Sequence, residues 1–299
     1  MPMAPHIGLI GLGQMGLGMA TTLAAKGFAV TGHDVAAARR ALAEQQGIAT
    51  AEPDAILRHA DMLVLSLPLG RDVASVLTGG AGLAARQGRR LVVIDTSTTD
   101  PATSRDLHRI LAAGGHGHLD APVSGGPTGA AAGTLTMMIG GDDADVAAAR
   151  PVIDALASTA IHVGPSGAGN VAKLVNNMLV AAHMLTTGEA LRLSEAAGVP
   201  ADAVLAVINA ATGRSALSEN HFPKRILSGR FDSGFSAGLM RKDVGLAADL
   251  ARAAGLDLPL SQKVAALWLE DRSRVGDAED FTRMAGYAPR AGATKDQTA

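Results

Sequence analysis

The chain carries six lysines, Lys26, Lys173, Lys224, Lys242, Lys263 and Lys295, and takes most of its positive charge from arginine. A guanidinium keeps its proton at ordinary pH, whereas a desolvated ammonium can give its proton up. Lys173 stands in the run Gly167-Ala168-Gly169-Asn170-Val171-Ala172-Lys173-Leu174-Val175-Asn176-Asn177. Asn177 follows four residues later, which on a helix puts both side chains on one face. An amine beside an amide suits an oxygen-bearing substrate: the amine handles a proton while the amide orients a carbonyl or hydroxyl. A lysine snorkelling near a helix start has the same spacing. From the residues alone both readings stand.

A second candidate is Ser124-Gly125-Gly126, preceded by Asp120-Ala121-Pro122-Val123. Consecutive small residues can turn their amides toward one anion and cradle a carboxylate. The same residues also make an ordinary Ser-Gly turn. A serine-hydrolase reading is poor, because no Gly-x-Ser-x-Gly elbow surrounds Ser124. His116, His118 and Asp120 share a strand face as metal ligands could, but neighbouring glycines and the lack of a second ligand cluster argue for no metal. Asp142-Asp143-Ala144-Asp145 reads as a solvated helix start.

The third is Gly11-Leu12-Gly13-Gln14-Met15-Gly16, set between a strand and a helix. In that context Gly11 permits a tight turn, Gly13 lets the backbone approach a pyrophosphate, and Gly16 lets helix and strand pack closely. The helix N-terminus offers amides to the phosphates. Asp34 closes the next strand, 18 residues after Gly16, and can accept hydrogen bonds from ribose hydroxyls. Its charge would repel a 2′-phosphate, so NAD is favoured over NADP. Arg39 and Arg40 could reach such a phosphate; a solvated helix face is the preferred reading of them.

These residues need a frame. Short apolar runs at 6–10, 29–33, 62–67, 91–94 and 117–119 read as strands, with helical patterns at 15–27, 36–47, 72–77 and 101–114 between them. Such alternation implies a parallel sheet covered on both faces. Two more strands are expected at 135–139 and 161–163. Leu67-Pro68, Thr96-Ser97-Thr98 and Ser124-Gly125-Gly126 then all lie just past the carboxyl ends of strands, the edge where open α/β sheets bind ligands. After Gly164-Pro165-Ser166 the β signal stops. One long helix is expected over 167–198, roughly 45 Å long and apolar on most sides, hence buried between domains or subunits. Further helices are expected at 201–211, 241–255 and 261–271. The reading is an α/β domain at 1–164 and a helical domain at 165–299.

Composition narrows the classes. The 299 residues are 47% apolar and 18% charged, which excludes a disordered chain. A net charge of -2 and 2% aromatic residues argue against nucleic acid or an anionic membrane as partner. No cysteine is present, so disulfides and thiolate chemistry are excluded. No stretch of about 18 apolar residues spans a membrane, and Met1-Pro2-Met3-Ala4-Pro5 reads as no targeting segment. A cytoplasmic protein is expected.

Four segments together resemble the β-hydroxyacid dehydrogenase family, which includes 3-hydroxyisobutyrate dehydrogenases and tartronate semialdehyde reductases. They are the glycine loop, the Asp120-to-Gly126 run, the Gly167-to-Asn177 run, and Lys242-Asp243-Val244-Gly245-Leu246-Ala247. The likeness spans almost the whole chain in family order. It implies a Rossmann domain, a long connecting helix and an all-α C-terminal domain that mediates oligomerisation, as a dimer or tetramer. It implies Lys173 as the catalytic residue, with Ser124, Gly125, Gly126 and Asn177 holding a small carboxylate substrate. Lys242 would close over the cleft, touching substrate and cofactor. Leu67, Pro68 and Thr98 join Gly11 to Gly16 and Asp34 as the cofactor-binding set. Leu69 is a departure, since members often have asparagine after the Leu-Pro pair. Gly213-Arg214-Ser215 and the region from Phe231 to Phe235 resemble members acting on bulkier hydroxyacids.

The resemblance implies NAD-dependent interconversion of a small 3-hydroxyacid, 3-hydroxyisobutyrate-like, with its semialdehyde. The alternatives are an NADPH-dependent 2-hydroxy-3-oxopropionate reductase, an imine reductase, or a non-catalytic binding protein of the same fold. Relatives of the last two kinds generally lack the lysine that this chain keeps at 173.

Overall fold

The computed structural model describes residues 5–79, 82–85, 88–270, 272 and 274–286. The start of the N-terminal reading at 1–4, Asp271 at the end of the last expected helix, and Lys295 lie outside the described residues. By its contacts the chain divides into two compact units, 1–174 and 175–299. The boundary expected at 164/165 lies between the last strand of the sheet and the long helix.

The first unit is built on short strands that are mostly buried. β1 (His6–Ile10), β2 (Ala29–His33), β4 (Met62–Leu65), β5 (Val92–Asp95) and β6 (Gly117–Asp120) appear where expected, to within two residues. A two-residue β3 (Ala49–Thr50) was not expected. These strands run parallel in the order β3-β2-β1-β4-β5-β6. The order reverses direction at β1, and the crevice between the carboxyl ends of β1 and β4 is the topological switch point. Apolar clusters cover both faces. One gathers Leu9, Leu12, Met19, Ile94 and Val152; the other gathers Ile10, Ile56, Leu65, Val93 and Leu107.

The expected all-parallel sheet is corrected beyond β6. There β7 (Val123–Ser124) and β6 both pair antiparallel with β8 (Leu135–Gly140), while β9 (Ala157–Gly164) pairs β8 in parallel. The connecting helix α6 (Gly126–Ala132) is seven residues and rises only about 10 Å. It does not return the chain to the far edge as a parallel crossover must.

The flanking helices are α1 (Gln14–Ala25), α2 (Ala37–Gln45), α3 (Pro53–His59), α4 (Gly70–Thr78), α5 (Pro101–Ala113), α6, and α7 (Asp143–Leu156). The helix start at Asp142 is not wholly solvated. Asp145 is buried and ion-paired with Arg90, in space that Gly117 leaves by lacking a side chain.

The long helix α8 (Ala168–Ala196) passes from the first unit into the second. Within the single chain it is buried along one face. Leu174, Ala181, Met184 and Leu191 are fully buried, but Val175, Leu179 and Leu193 are 46%, 52% and 72% exposed. The 7-3-7 spacing of the buried set follows one face of a helix, which leaves the other apolar residues outward.

In the second unit α9 (Ala201–Ala210), an unexpected π-helical stretch at Leu217–Ile226, α10 (Ala237–Ala253) and α11 (Pro259–Glu270) enclose a core around Trp268 and Phe222. The Trp268 indole N–H donates to the Ala181 carbonyl at 3.2 Å. Among the described residues no helix is long and apolar enough to cross a membrane.

Candidate active site

The glycine loop is shaped by contacts that only glycine allows. Gly11 has φ +96°, and a Cβ there would lie 2.2 Å from the Ser66 carbonyl oxygen. A Cβ on Gly16 would lie 1.8 Å from the Gly11 oxygen, so α1 packs directly on the turn. Around Gly13 nothing lies within 4 Å of a Cβ position, which leaves open space at the start of α1. No side chain caps that helix and its first turn holds no acid. Its leading amides are thus left for an anion from outside the helix.

Asp34 follows β2, and its carboxylate already organises the loop. It accepts from the Leu12 N–H at 2.8 Å and the Ala36 N–H at 2.9 Å. Each oxygen retains a second lone pair for a ribose hydroxyl. The solvated reading of Arg40 is corrected: its guanidinium donates to the Asp34 carbonyl at 2.6 Å and the Val35 carbonyl at 3.3 Å. It braces the loop that follows β2.

Other ligand loops are tied together at the same sheet edge. The Leu67 N–H donates to Ser97 Oγ at 2.9 Å, and Thr96 donates to the Leu65 carbonyl through both its amide and its hydroxyl. Pro68 is exposed and Thr98 half-buried beside them. Leu69, the departure from the family pattern, is the N-cap of α4 and makes no side-chain bond. The residues at this edge fit a dinucleotide: a glycine cradle, uncapped helix amides and a ribose-binding carboxylate.

Ser124 ends β7, paired with Thr136 of β8. Gly125 and Gly126 follow at φ +126° and +64°, so the main chain turns sharply there at no steric cost.

Lys173 is 8% exposed, within the second turn of α8. The start of that helix is bound by Asp120 and Asn170, neither of which was read from the sequence as part of the site. Asp120 accepts from the Gly167 N–H at 2.7 Å and the Asn170 N–H at 2.9 Å. Burial pushes the Asp120 carboxyl above its usual range, and these amides oppose the shift. The residue type gave a signal: an asparagine just inside a helix start prefers side-chain bonds to nearby backbone.

Neither His116 nor His118 has a hydrogen bond to Asp120. His118 is fully buried with both ring nitrogens unbonded, and burial, aided by the charge of His108, lowers its pKa to about 3. His116 precedes β6 and accepts from the Leu91 N–H. Among the described residues no group of three or more His, Asp or Glu could hold a metal ion.

In the second unit one buried carboxylate gathers two expected residues. Asp243 accepts from Asn177 Nδ2 at 2.6 Å and pairs with Lys242 Nζ at 3.2 Å. Asn177 also accepts from Asn176 Nδ2 at 3.1 Å. Placing Lys242 at a helix start is corrected. Ser236 caps α10, accepting from the Leu239 N–H, which puts Lys242 in the second turn away from the dipole end.

Residues 6–164 match the family of the NAD binding domain of 6-phosphogluconate dehydrogenase. Residues 167–288 match the NAD-binding family of NADP-dependent 3-hydroxyisobutyrate dehydrogenase. The chain belongs to the β-hydroxyacid dehydrogenases. It is 33% identical to the 2-(hydroxymethyl)glutarate dehydrogenase of Eubacterium barkeri, over 93% of each chain. It is 36% identical to the NAD-dependent L-serine dehydrogenase of Pseudomonas aeruginosa, over 88% of this chain and 91% of that one. The solved 3-hydroxyisobutyrate dehydrogenase of Mycobacterium tuberculosis, with L-serine, superposes with a TM-score of 0.86 at 34% identity, covering 95% of this chain and 99% of that one. This β-hydroxyacid dehydrogenase is accordingly an NAD-dependent oxidoreductase acting on CH–OH groups of hydroxyacids.

Proposed function

We propose that the dehydrogenase oxidises the primary hydroxyl of acids of the form HOCH2–CH(R)–COO⁻ to the semialdehyde. The relatives' named substrates share this unit, with R a methyl, an amino or a carboxyethyl group. The observation that carries the reading is Lys173, a buried amine on a helix whose start is bonded to the end of β6.

Bound NAD supplies the hydride acceptor. Lys173 takes the hydroxyl proton as the carbonyl forms, and returns it in the reverse direction. The Ser124 hydroxyl and the main chain of Gly125 and Gly126 hold the carboxylate. Asn177 orients the hydroxyl. Lys242 adds positive charge for the carboxylate and helps exclude water. Gly11 through Gly16 receive the pyrophosphate, Leu67, Pro68 and Thr98 line the nicotinamide side, and Asp34 binds the adenosine ribose and disfavours NADP.

The two family matches support a functional division into an NAD-binding domain at 1–164 and a helical substrate and oligomerisation domain at 165–299. The exposed Val175, Leu179 and Leu193 support self-association, as a dimer or tetramer. A chain without cysteine suits the cytoplasm.

The test is a panel of 3-hydroxyisobutyrate, L-serine, 2-(hydroxymethyl)glutarate and a 2-hydroxyacid, each with NAD and with NADP. Reduced nicotinamide is followed by its absorbance. Turnover of at least one 3-hydroxyacid with NAD is expected. Turnover of the 2-hydroxyacid alone, or of none, overturns the reading.

A further inference from the structure

The Asp120-to-Gly126 run and the Gly167-to-Asn177 run meet in a buried joint. The Asp120 side chain is 0% exposed, and its two oxygens bind two main-chain amides of the α8 start, those of Gly167 and Asn170. Asn170, also 0% exposed, extends the joint to a third segment. Its Oδ1 accepts from the Thr99 N–H at 3.0 Å, and its Nδ2 donates to Thr99 Oγ1 at 3.1 Å and Ser104 Oγ at 2.9 Å.

The backbones are in direct contact here. A Cβ on Gly169 would lie 2.3 Å from the Asp120 oxygen and 2.5 Å from the Met138 oxygen. One on Gly140 would lie 2.6 Å from Asp120 Oδ1. The glycines let α8 sit against the ends of β6 and β8 with no side chain between.

Lys173 lies three residues beyond Asn170, a rise of roughly 4.5 Å along α8. Ser124 lies four residues beyond Asp120, on a segment held to β8 by pairing at Val123 and Ser124. One carboxylate therefore links the chain that leads to the amine and the chain that leads to the proposed carboxylate cradle. A helix turn moves as a unit, so release of these amides would let Lys173 shift. A displacement of about 1 Å can cost on the order of 10²-fold in rate.

We propose that Asp120 and Asn170 are positioning residues that act through Lys173, fixing the distance between its amine and a substrate held at Ser124, Gly125 and Gly126. The proposal rests on the reading of Lys173 as the proton-handling group. It requires no contact between Asp120 or Asn170 and the substrate.

A double-mutant cycle on the full chain, with NAD and the best acid of the panel, separates the two claims. Asp120→Asn keeps the size but replaces one acceptor with an NH2 that faces an amide N–H. In the Lys173 protein it is expected to lower kcat by about 10- to 100-fold, with KM for NAD held within about twofold. In the Lys173→Ala protein the same change is expected to lower kcat by less than about twofold, because coupled residues do not add. Losses that multiply in the double variant, or wild-type kcat in Asp120→Asn, overturn the positioning role and leave the Lys173 reading intact. Wild-type turnover in Lys173→Ala alone overturns that reading itself. Should Asp120→Asn fail to fold, Asn170→Ser goes through the same cycle. It shortens the arm to Thr99 and Ser104 while leaving both Asp120 bonds, and a loss of about fivefold confined to the Lys173 background is expected. An equal loss in both backgrounds overturns the proposal.

Discussion

Asp120 and Asp243 are almost equally buried, at 0% and 2% exposed, yet their carboxylates bind different kinds of partner. Asp120 takes main-chain amides of one helix start. Asp243 takes side chains, the Asn177 amide and the Lys242 ammonium. An amide of the main chain cannot move without its helix, so Asp120 fixes where a segment sits. A lysine or asparagine side chain keeps rotamer freedom until bonded, at a cost of up to about 2 kcal/mol for lysine. Asp243 therefore fixes which way two side chains point. Burial of a carboxylate serves placement in one unit and orientation in the other.

The largest expected effect breaks the second of these arrangements. Asp243→Ala removes the acceptor from Asn177 and the counter-charge from Lys242, and should lower kcat/KM by about 10²-fold, the scale of one to two charge-assisted bonds. Asp243→Asn should lose less, because it still accepts from Asn177. Equal losses in both variants would mean that the charge on Lys242, and not the link to Asn177, is what Asp243 serves.

A sharper contrast lies within β6, where His118 is buried like Asp120 but unbonded. Its folded pKa of about 3 lies below the ordinary 6.5, so the unfolded chain binds a proton that the native chain refuses. This contribution is fully present above pH 6.5 and is lost as pH falls toward 3, by up to about 1.4 kcal/mol per pH unit. His118→Leu should therefore lose about 2 kcal/mol less stability than the wild type between pH 7 and pH 5, as read from urea melts at each pH. Parallel stability curves would show that His118 takes up a proton as readily in the folded protein as in the unfolded chain.

Lys242→Ala tests the side-chain end of the Asp243 arrangement. A fall in kcat/KM of more than about 10-fold is expected at a temperature where the variant is fully folded. Activity that instead follows a lowered Tm would make Lys242 a structural residue. The smallest effect concerns Asp34, whose carboxylate is bound by amides like that of Asp120 but lies at the open sheet edge. Asp34→Asn should narrow the preference for NAD over NADP by a few-fold in kcat/KM. A wild-type preference for NADP would mean that Arg39 reads a phosphate.

What was legible in the sequence was what is local. β1 begins and ends where its apolar run does, because residues buried on both faces leave a continuous signal. The glycine loop was legible because Gly11 and Gly16 answer short-range clashes and Gly13 leaves open space at the start of α1. The antiparallel return at β8 was not, since β7 is two residues long and α6 seven. Asp120 was visible as a neighbour of two histidines and as the head of the run to Gly126, but not as a ligand of the α8 start. Its partners stand 47 and 50 residues along the chain, and no periodicity carries that information. The apolar pattern starts α10 at 241 and not at 237, because the cap at Ser236 lies in a stretch without periodic apolar residues.

The central claim is that Lys173 handles the substrate proton, and its most direct test is kcat of Lys173→Ala beside the affinity for NAD. A kcat lower by at least about 10²-fold, with NAD binding within about twofold of wild type, is the predicted result. Near-wild-type turnover in that variant would contradict it.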